Sequence, residues 1–157
     1  MSNNVQNDLR YMEFRFGEQK FALPLLAVKE VIPKPETTPV PNMPSHFEGM
    51  INLRGQVLGI YNIRRKLGIP VAQASVNVRH EVVIIVENNT GLVGFIVDEV
   101  TRVIQTTPES FLEAPKSDVA SAQFVSSIIK SEEDLIMAVE IGKILGFEQE
   151  LNTKKVA

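Results

Sequence analysis

General acid–base work near neutral pH calls for an imidazole or a carboxylate displaced from its usual range, and the 157-residue chain offers two histidines, His46 and His80. Neither has a second His at metal-ligand spacing, and both fall in stretches that read as loops, so both are read as solvated surface imidazoles. The carboxylates form no catalytic pair either. Asp98 and Glu99 are neighbours, and on a strand they face opposite ways instead of flanking one bond. Glu132, Glu133 and Asp134 are consecutive and read as a solvated charge run. Residues 91–94 come nearest to a glycine-rich loop, but they lead into a strand pattern and not a helix N-terminus, so a phosphate cradle is not expected. The absence of cysteine removes a thiol nucleophile, a disulfide framework and every thiolate zinc site. Met12, Met43, Met50 and Met137 follow no helical stripe and read as gap fillers. The expectation is a protein with no catalytic centre, no cofactor and no metal.

Charge and hydropathy narrow the class further. Sixteen Lys and Arg against nineteen Asp and Glu give a net charge of −3, without the basic footprint that neutralises phosphates, so no nucleic-acid partner is expected. The longest apolar runs, 82–86 and 135–139, fall far short of the roughly 20 residues of a membrane-spanning helix, so no membrane insertion is expected. Residues 1–10 are polar and Asn-rich, unlike a signal peptide, and point to a cytoplasmic protein.

The elements that would position any site are short. Met12, Phe14 and Phe16 alternate with Glu13 and Arg15, and Phe21 and Leu23 resume the pattern after Gly17, so residues 11–23 read as a hairpin with one face buried. A single helical turn and a strand through Val28, Glu30 and Ile32 follow. Five of nine prolines then crowd into 33–44, an ordered loop or crossover. Residues 49–63 read as two strands around a tight turn at Arg54-Gly55, with a short helix over 63–67. Residues 70–80 read as a loop between two similar halves. Strand patterns at 82–86 and 92–97 flank Asn88-Asn89-Thr90-Gly91, a hairpin signature. More strands are expected at 100–106, 124–130 and 135–141, a short helix over 107–112 entered at Pro108, and a closing helix over 144–151. About nine or ten short strands indicate an all-β chain, long enough for two small barrels in succession.

Residues 49–57, Gly-Met-Ile-Asn-Leu-Arg-Gly-Gln-Val, resemble the signature of the CheW family, in which a strand ends at Asn-Leu-Arg-Gly and a second begins. Segments similar to the family's occur in order at 14–17, Phe21, 28–31, 41–44, 82–86, 94–98 and 135–144, so the resemblance covers roughly residues 10–146. It implies two five-stranded, SH3-like barrels with short helices packed around a shared apolar core, and no catalytic centre. It also implies an organisation into a flexible N-terminus over 1–9, one CheW-like domain over 10–147 and a tail over 148–157. The implied role is a scaffold in chemotaxis signal transduction. Such an adaptor binds the cytoplasmic tip of a methyl-accepting chemoreceptor and the regulatory domain of the histidine kinase CheA, in arrays beneath the inner membrane. Kinase or receiver domains would each need roughly another hundred residues, which favours a stand-alone adaptor.

The resemblance also implies site residues. Arg54, exposed beside a glycine turn, would offer a donor fork to carboxylates or carbonyls of a receptor helix, making its charge-assisted bonds only in the complex. Val28 and Glu30 match the receptor-contacting strand, and a small apolar patch with a charged rim suits a helical partner; Val28 as plain core is the alternative. For the kinase, the resemblance points to the edge of the second barrel near Val82 and Val100, as exposed valines packing end to end against a like-folded domain; simple core valines are the alternative. Gly59 stands where the family often has Pro, Asn62 where it often has Asp, and residues 126–129 lack the glycines common there. Rival readings are an adaptor for a non-flagellar output such as pili, a small-ligand or oligonucleotide-binding barrel, which would need aromatic platforms or basic side chains on one face in a chain with no Trp and few aromatics, and last an enzyme.

Overall fold

The structure is a computed structural model that describes residues 9–69, 81–88, 91–114, 124–140 and 142–143. Residues 1–8 of the expected N-terminal segment 1–9, the loop 70–80 with His80, the closing helix and the tail over 148–157 lie outside the described residues.

Strands β1 (Arg10–Phe16) and β2 (Gln19–Pro24) form the first hairpin, turned at Gly17 with φ 60°. One 3-10 turn, Leu25–Ala27, leads into β3 (Val28–Pro33). After the proline-rich loop, β4 (Phe47–Leu53) and β5 (Gln56–Asn62) form the second hairpin, and α1 (Ile63–Leu67) follows directly. Asn62 starts that helix by accepting a 3.1 Å hydrogen bond from the Arg65 N–H, so Asn here does the capping that Asp does equally well. Gly59, where the family often has Pro, leaves room for a ring: a Cβ there would lie 3.0 Å from Phe47 Cε2. Strands β6 (Val82–Asn88) and β7 (Gly91–Val97) pair antiparallel with Asn88 opposite Gly91, and β8 (Glu99–Gln105) follows. The expected helix over 107–112 is instead one 3-10 turn, Pro108–Ser110, followed by a short strand β9 (Phe111–Glu113). The Ser110 hydroxyl accepts the Thr107 N–H at 3.0 Å, which closes the turn and frees Phe111 to pair with Ile129. β10 (Val125–Ser131) and β11 (Asp134–Val139) complete the described chain. A bulge between Val125 and Ser127, not glycines, bends the 126–129 segment, and the Ser126 hydroxyl donates to the Ala138 carbonyl.

The strands form two sheets, ordered β8-β1-β2-β11-β10-β9 and β3-β6-β7-β5-β4. The fold is all-β with two SH3-like subdomains, as expected, with one correction to the strand number and one to the connectivity. The sixth strand of the first sheet is β9, too short to carry an alternation signal. The barrels also do not follow one another along the chain. β2 takes β11 as a parallel neighbour, Phe21 beside Met137 and Ala22 beside Ala138, so both ends of the described chain build one sheet and its middle builds the other. The polypeptide crosses between sheets at the Leu25–Ala27 turn and at Asp98.

Three apolar clusters result among the described residues. Ile51, Leu58, Ile60, Val83, Ile85 and Ile96 fill the five-stranded barrel. Ala22, Ile104, Ile129, Ile136 and Ala138 fill the six-stranded one. The largest cluster lies between them and draws Phe14, Phe16, Phe21 and Leu23 from one sheet and Ile84, Val86, Val93 and Phe95 from the other, with Ile63 and Leu67 of α1. Phe14 and Ile84 are wholly buried there, each removal from water contributing about 1.5–3 kcal/mol. Because both faces of the six-stranded sheet are covered, the expectation that Glu13 faces solvent fails. Glu13 is buried, accepts a hydrogen bond from the Thr101 hydroxyl and pairs with Arg102 at 3.4 Å. Asp134 likewise is more than a member of a solvated run, since its carboxylate meets Lys20 at 2.8 Å, and that bond holds it below its ordinary pKa.

Candidate functional site

The β4–β5 turn places Arg54 and Gly55 at φ 52° and 84°, the doubly left-handed geometry of a two-residue hairpin turn. Glycine accepts that conformation freely, but arginine does so at a cost, and strained positions of this kind concentrate at functional sites. Asn52 steadies the turn by accepting the Gly55 N–H at 2.9 Å. Across the barrel mouth, β3 carries a bulge at Lys29, since Val28 pairs with Val86 but Glu30 already with Ile85. Side chains of the edge strand β3 and of the β4–β5 turn meet there. Arg54 donates from both terminal nitrogens to the two Glu30 oxygens, at 2.7 and 2.6 Å.

This bidentate fork corrects one expectation, because the guanidinium makes charge-assisted bonds in the free protein and not only in a complex. The pair remains accessible, with the Arg54 side chain 71% and the Glu30 side chain 27% exposed. The fork draws the Glu30 carboxyl below its ordinary pKa and raises that of Arg54. Beside it lies an open cleft of about 330 Å³ lined by Lys29, Glu30, Leu53, Arg54, Glu87 and Leu92. Lys29 and Glu87 pair across its rim at 2.8 Å. Charged side chains predominate around the cleft, with Leu53 and Leu92 between them, so it is suited to a polar-faced helix.

The other sequence-derived residues lie apart from the fork. Val28, on the same strand as Glu30, is half-buried and packs against the shared core. Val82 and Val100 were expected as exposed valines of one barrel edge. They sit in different sheets, on β6 and β8, and both are half-buried against the same shared core. β6 is an interior strand between β3 and β7, whereas β8 pairs only with β1 among the described residues. The core demand for apolar side chains on both sheets accounts for the inward packing of the two valines.

A second charged constellation was missed by the sequence reading. Arg64, on α1, is 8% exposed and pairs with the Asp98 carboxylate, while its guanidinium lies 5.6 Å from the centre of the Phe16 ring. The same Asp98 oxygen accepts the Gly17 N–H at 2.8 Å. Sequence neighbours hid the pair: Asp98 reads as one of two adjacent carboxylates and Arg64 as one of three cations in a row. The usable signal is that each directly follows a buried apolar residue, Arg64 after Ile63 and Asp98 after Val97. His46 is half-buried with its ring 6.1 Å from Tyr61. Among the described residues no group of three His, Asp or Glu could hold a metal ion, and no helix is long and apolar enough to cross a membrane.

Comparison with known proteins bears on the family and the fold. Residues 10–149 match the family model described as CheW-like domain. The chain is 32% identical over 139 residues to the chemotaxis protein CheW of Rhizobium meliloti, covering 87% of this chain and 86% of that one. It is 29% identical over 121 residues to Protein PilI of Pseudomonas aeruginosa, covering 76% and 66%. Among solved structures it resembles the scaffolding protein TtCheW from Thermoanaerobacter tengcongensis, with a TM-score of 0.74, 29% identity and 85% of each chain covered.

Proposed function

Because the chain belongs to the CheW-like domain family, a family of non-catalytic scaffold proteins, we propose that it couples the cytoplasmic tip of a methyl-accepting chemoreceptor to the histidine kinase CheA. In this reading it works in the cytoplasm and is recruited to receptor arrays at the inner face of the membrane. The observation that carries the proposal is the exposed Glu30–Arg54 fork on a strained turn beside an open cleft. A receptor helix seated over the cleft offers carboxylates and carbonyls that can take over part of the Arg54 fork from Glu30, and Val28 backs the contact from β3. The kinase regulatory domain then takes the Val82 and Val100 side, where β8 is an edge strand with Val103 half-exposed upon it.

Binding of the purified chain to a receptor cytoplasmic fragment and to the kinase regulatory domain, separately and together, tests the reading. Arg54→Ala is expected to weaken the receptor complex with the melting curve unchanged, and Arg54→Lys to restore it only in part, because an ammonium cannot copy a planar fork. Unchanged receptor affinity in Arg54→Ala sinks that contact. Val103→Glu, at an exposed position of β8, is expected to abolish kinase binding with the melting curve unchanged; retention of kinase binding in that folded protein rejects the β8 surface. The likeness to a relative not named for chemotaxis supports a second reading, a paralogous adaptor serving a non-flagellar output such as pili. Complementation of strains lacking one or the other adaptor separates the two.

A further inference from the structure

We infer that Asp98, with Arg64 and Gly17, is a latch that fixes the angle between the two barrels. The case begins with where these residues stand. Asp98 is the single residue between β7 of the five-stranded sheet and β8 of the six-stranded sheet, so any change in the mutual orientation of the barrels must turn the chain there. One of its carboxylate oxygens accepts from both sides at once. From the five-stranded side comes the guanidinium of Arg64, on the helix that continues β5; from the six-stranded side comes the Gly17 N–H in the β1–β2 turn, at 2.8 Å. The Asp98 N–H donates to the Arg15 carbonyl of β1 at 3.1 Å, a third contact and the second on the six-stranded side.

Helix α1 has the matching form. Its three cations diverge: Arg64 lies over Phe16 of β1, Lys66 lies 5.7 Å from the Phe124 ring just before β10, and Arg65 turns back to the Ser45 carbonyl at 2.9 Å and to Glu48 of β4 at 3.5 Å. Ile63 and Leu67 anchor the same helix in the shared core. A five-residue element is thereby bound to both sheets by directional contacts.

The chemistry explains why a charged pair serves here. The shared core between the barrels is apolar, and apolar burial is non-directional, so it resists separation of the barrels more strongly than their rotation. A buried ion pair adds little net stability over an apolar pair of similar volume, but its hydrogen bonds hold only in one geometry. An adaptor that acts by holding two partners in place needs that geometry more than it needs the stability.

Absence of native cysteine makes the test direct. Spin labels at Val57→Cys on β5 and Leu135→Cys on β11, positions 60% and 62% exposed, report the distance between barrels, and amide exchange reports the integrity of each sheet. The parent is expected to give one narrow distance distribution. The double variant Arg64→Met, Asp98→Leu removes both charges together and is expected to keep both sheets protected while the distribution shifts and broadens. Asp98→Asn, which keeps the shape of the acceptor, is expected to broaden it less. A parent-like distribution in both variants overturns the latch. Loss of exchange protection throughout both sheets in the double variant also overturns it, because the pair would then act in folding and not in orientation.

Discussion

The Glu30–Arg54 and Arg64–Asp98 pairs join the same kinds of group in opposite surroundings. The first closes the mouth of one barrel with both partners open to water. The second lies between barrels with side chains 8% and 16% exposed and an aromatic ring beneath the guanidinium. In water two such charges attract weakly and exchange partners readily; removed from water they attract strongly but have already lost hydration. The exposed pair is therefore suited to being exchanged for a partner's groups, and the buried pair to holding a fixed arrangement. The same residue types serve binding in one place and geometry in the other, and exposure decides which.

The largest effects are expected where only one half of the buried pair is removed. Asp98→Ala leaves the Arg64 guanidinium buried without its carboxylate and should lower unfolding stability by about 3–5 kcal/mol in urea titration. A loss within error of zero would show that water reaches Arg64 freely, and the contrast between the pairs would vanish. Ile84→Ala, in the same shared core but without charge, supplies the yardstick at about 2–5 kcal/mol from lost burial and the cavity left behind. Should it melt like the parent, the β6 face assigned to the shared core is wrong.

What the sequence made legible was local. The hairpin over 11–23 and the Arg54-Gly55 turn rest on signals within a few residues, alternation and a glycine turn, and the helix over 63–67 is likewise a local element. What it hid was long-range. Alternation in β1 assigned Glu13 to solvent because the pattern tells the two faces of a strand apart but not whether the second is also covered. The parallel pairing of β2 with β11 has no local signature, so the nested order of the sheets could not be read. The resemblance singled out Glu30 and Arg54 separately, but their fork spans 24 residues, and the Arg64–Asp98 pair spans 34. Contacts at such separations become visible only once the sheet registers are known.

The smallest expected effect sharpens the comparison from the exposed side. The Arg54 fork lowers the Glu30 pKa, so the carboxylate is favoured in the folded chain relative to the unfolded one. A lowered carboxylate pKa contributes stability that is complete above the unfolded value and is lost as pH falls through the folded value, and for a pair this open to water screening keeps that contribution within the error of a melting temperature. At neutral pH the fork is thus fully formed, and it opens only in acid. Carbon-detected NMR titration of Glu30 should give a midpoint below that of an ordinary glutamate, and Arg54→Ala should move that midpoint upward while the melting temperature at pH 7 stays within error of the parent. The two readouts separate the causes. A midpoint unmoved by Arg54→Ala would mean that Glu30 is set by Lys29 or another neighbour and that Arg54 is already free for a partner. A fall in melting temperature would mean that the fork helps hold β3 against the β4–β5 turn, and that a partner drawing Arg54 away must loosen the barrel mouth as it binds.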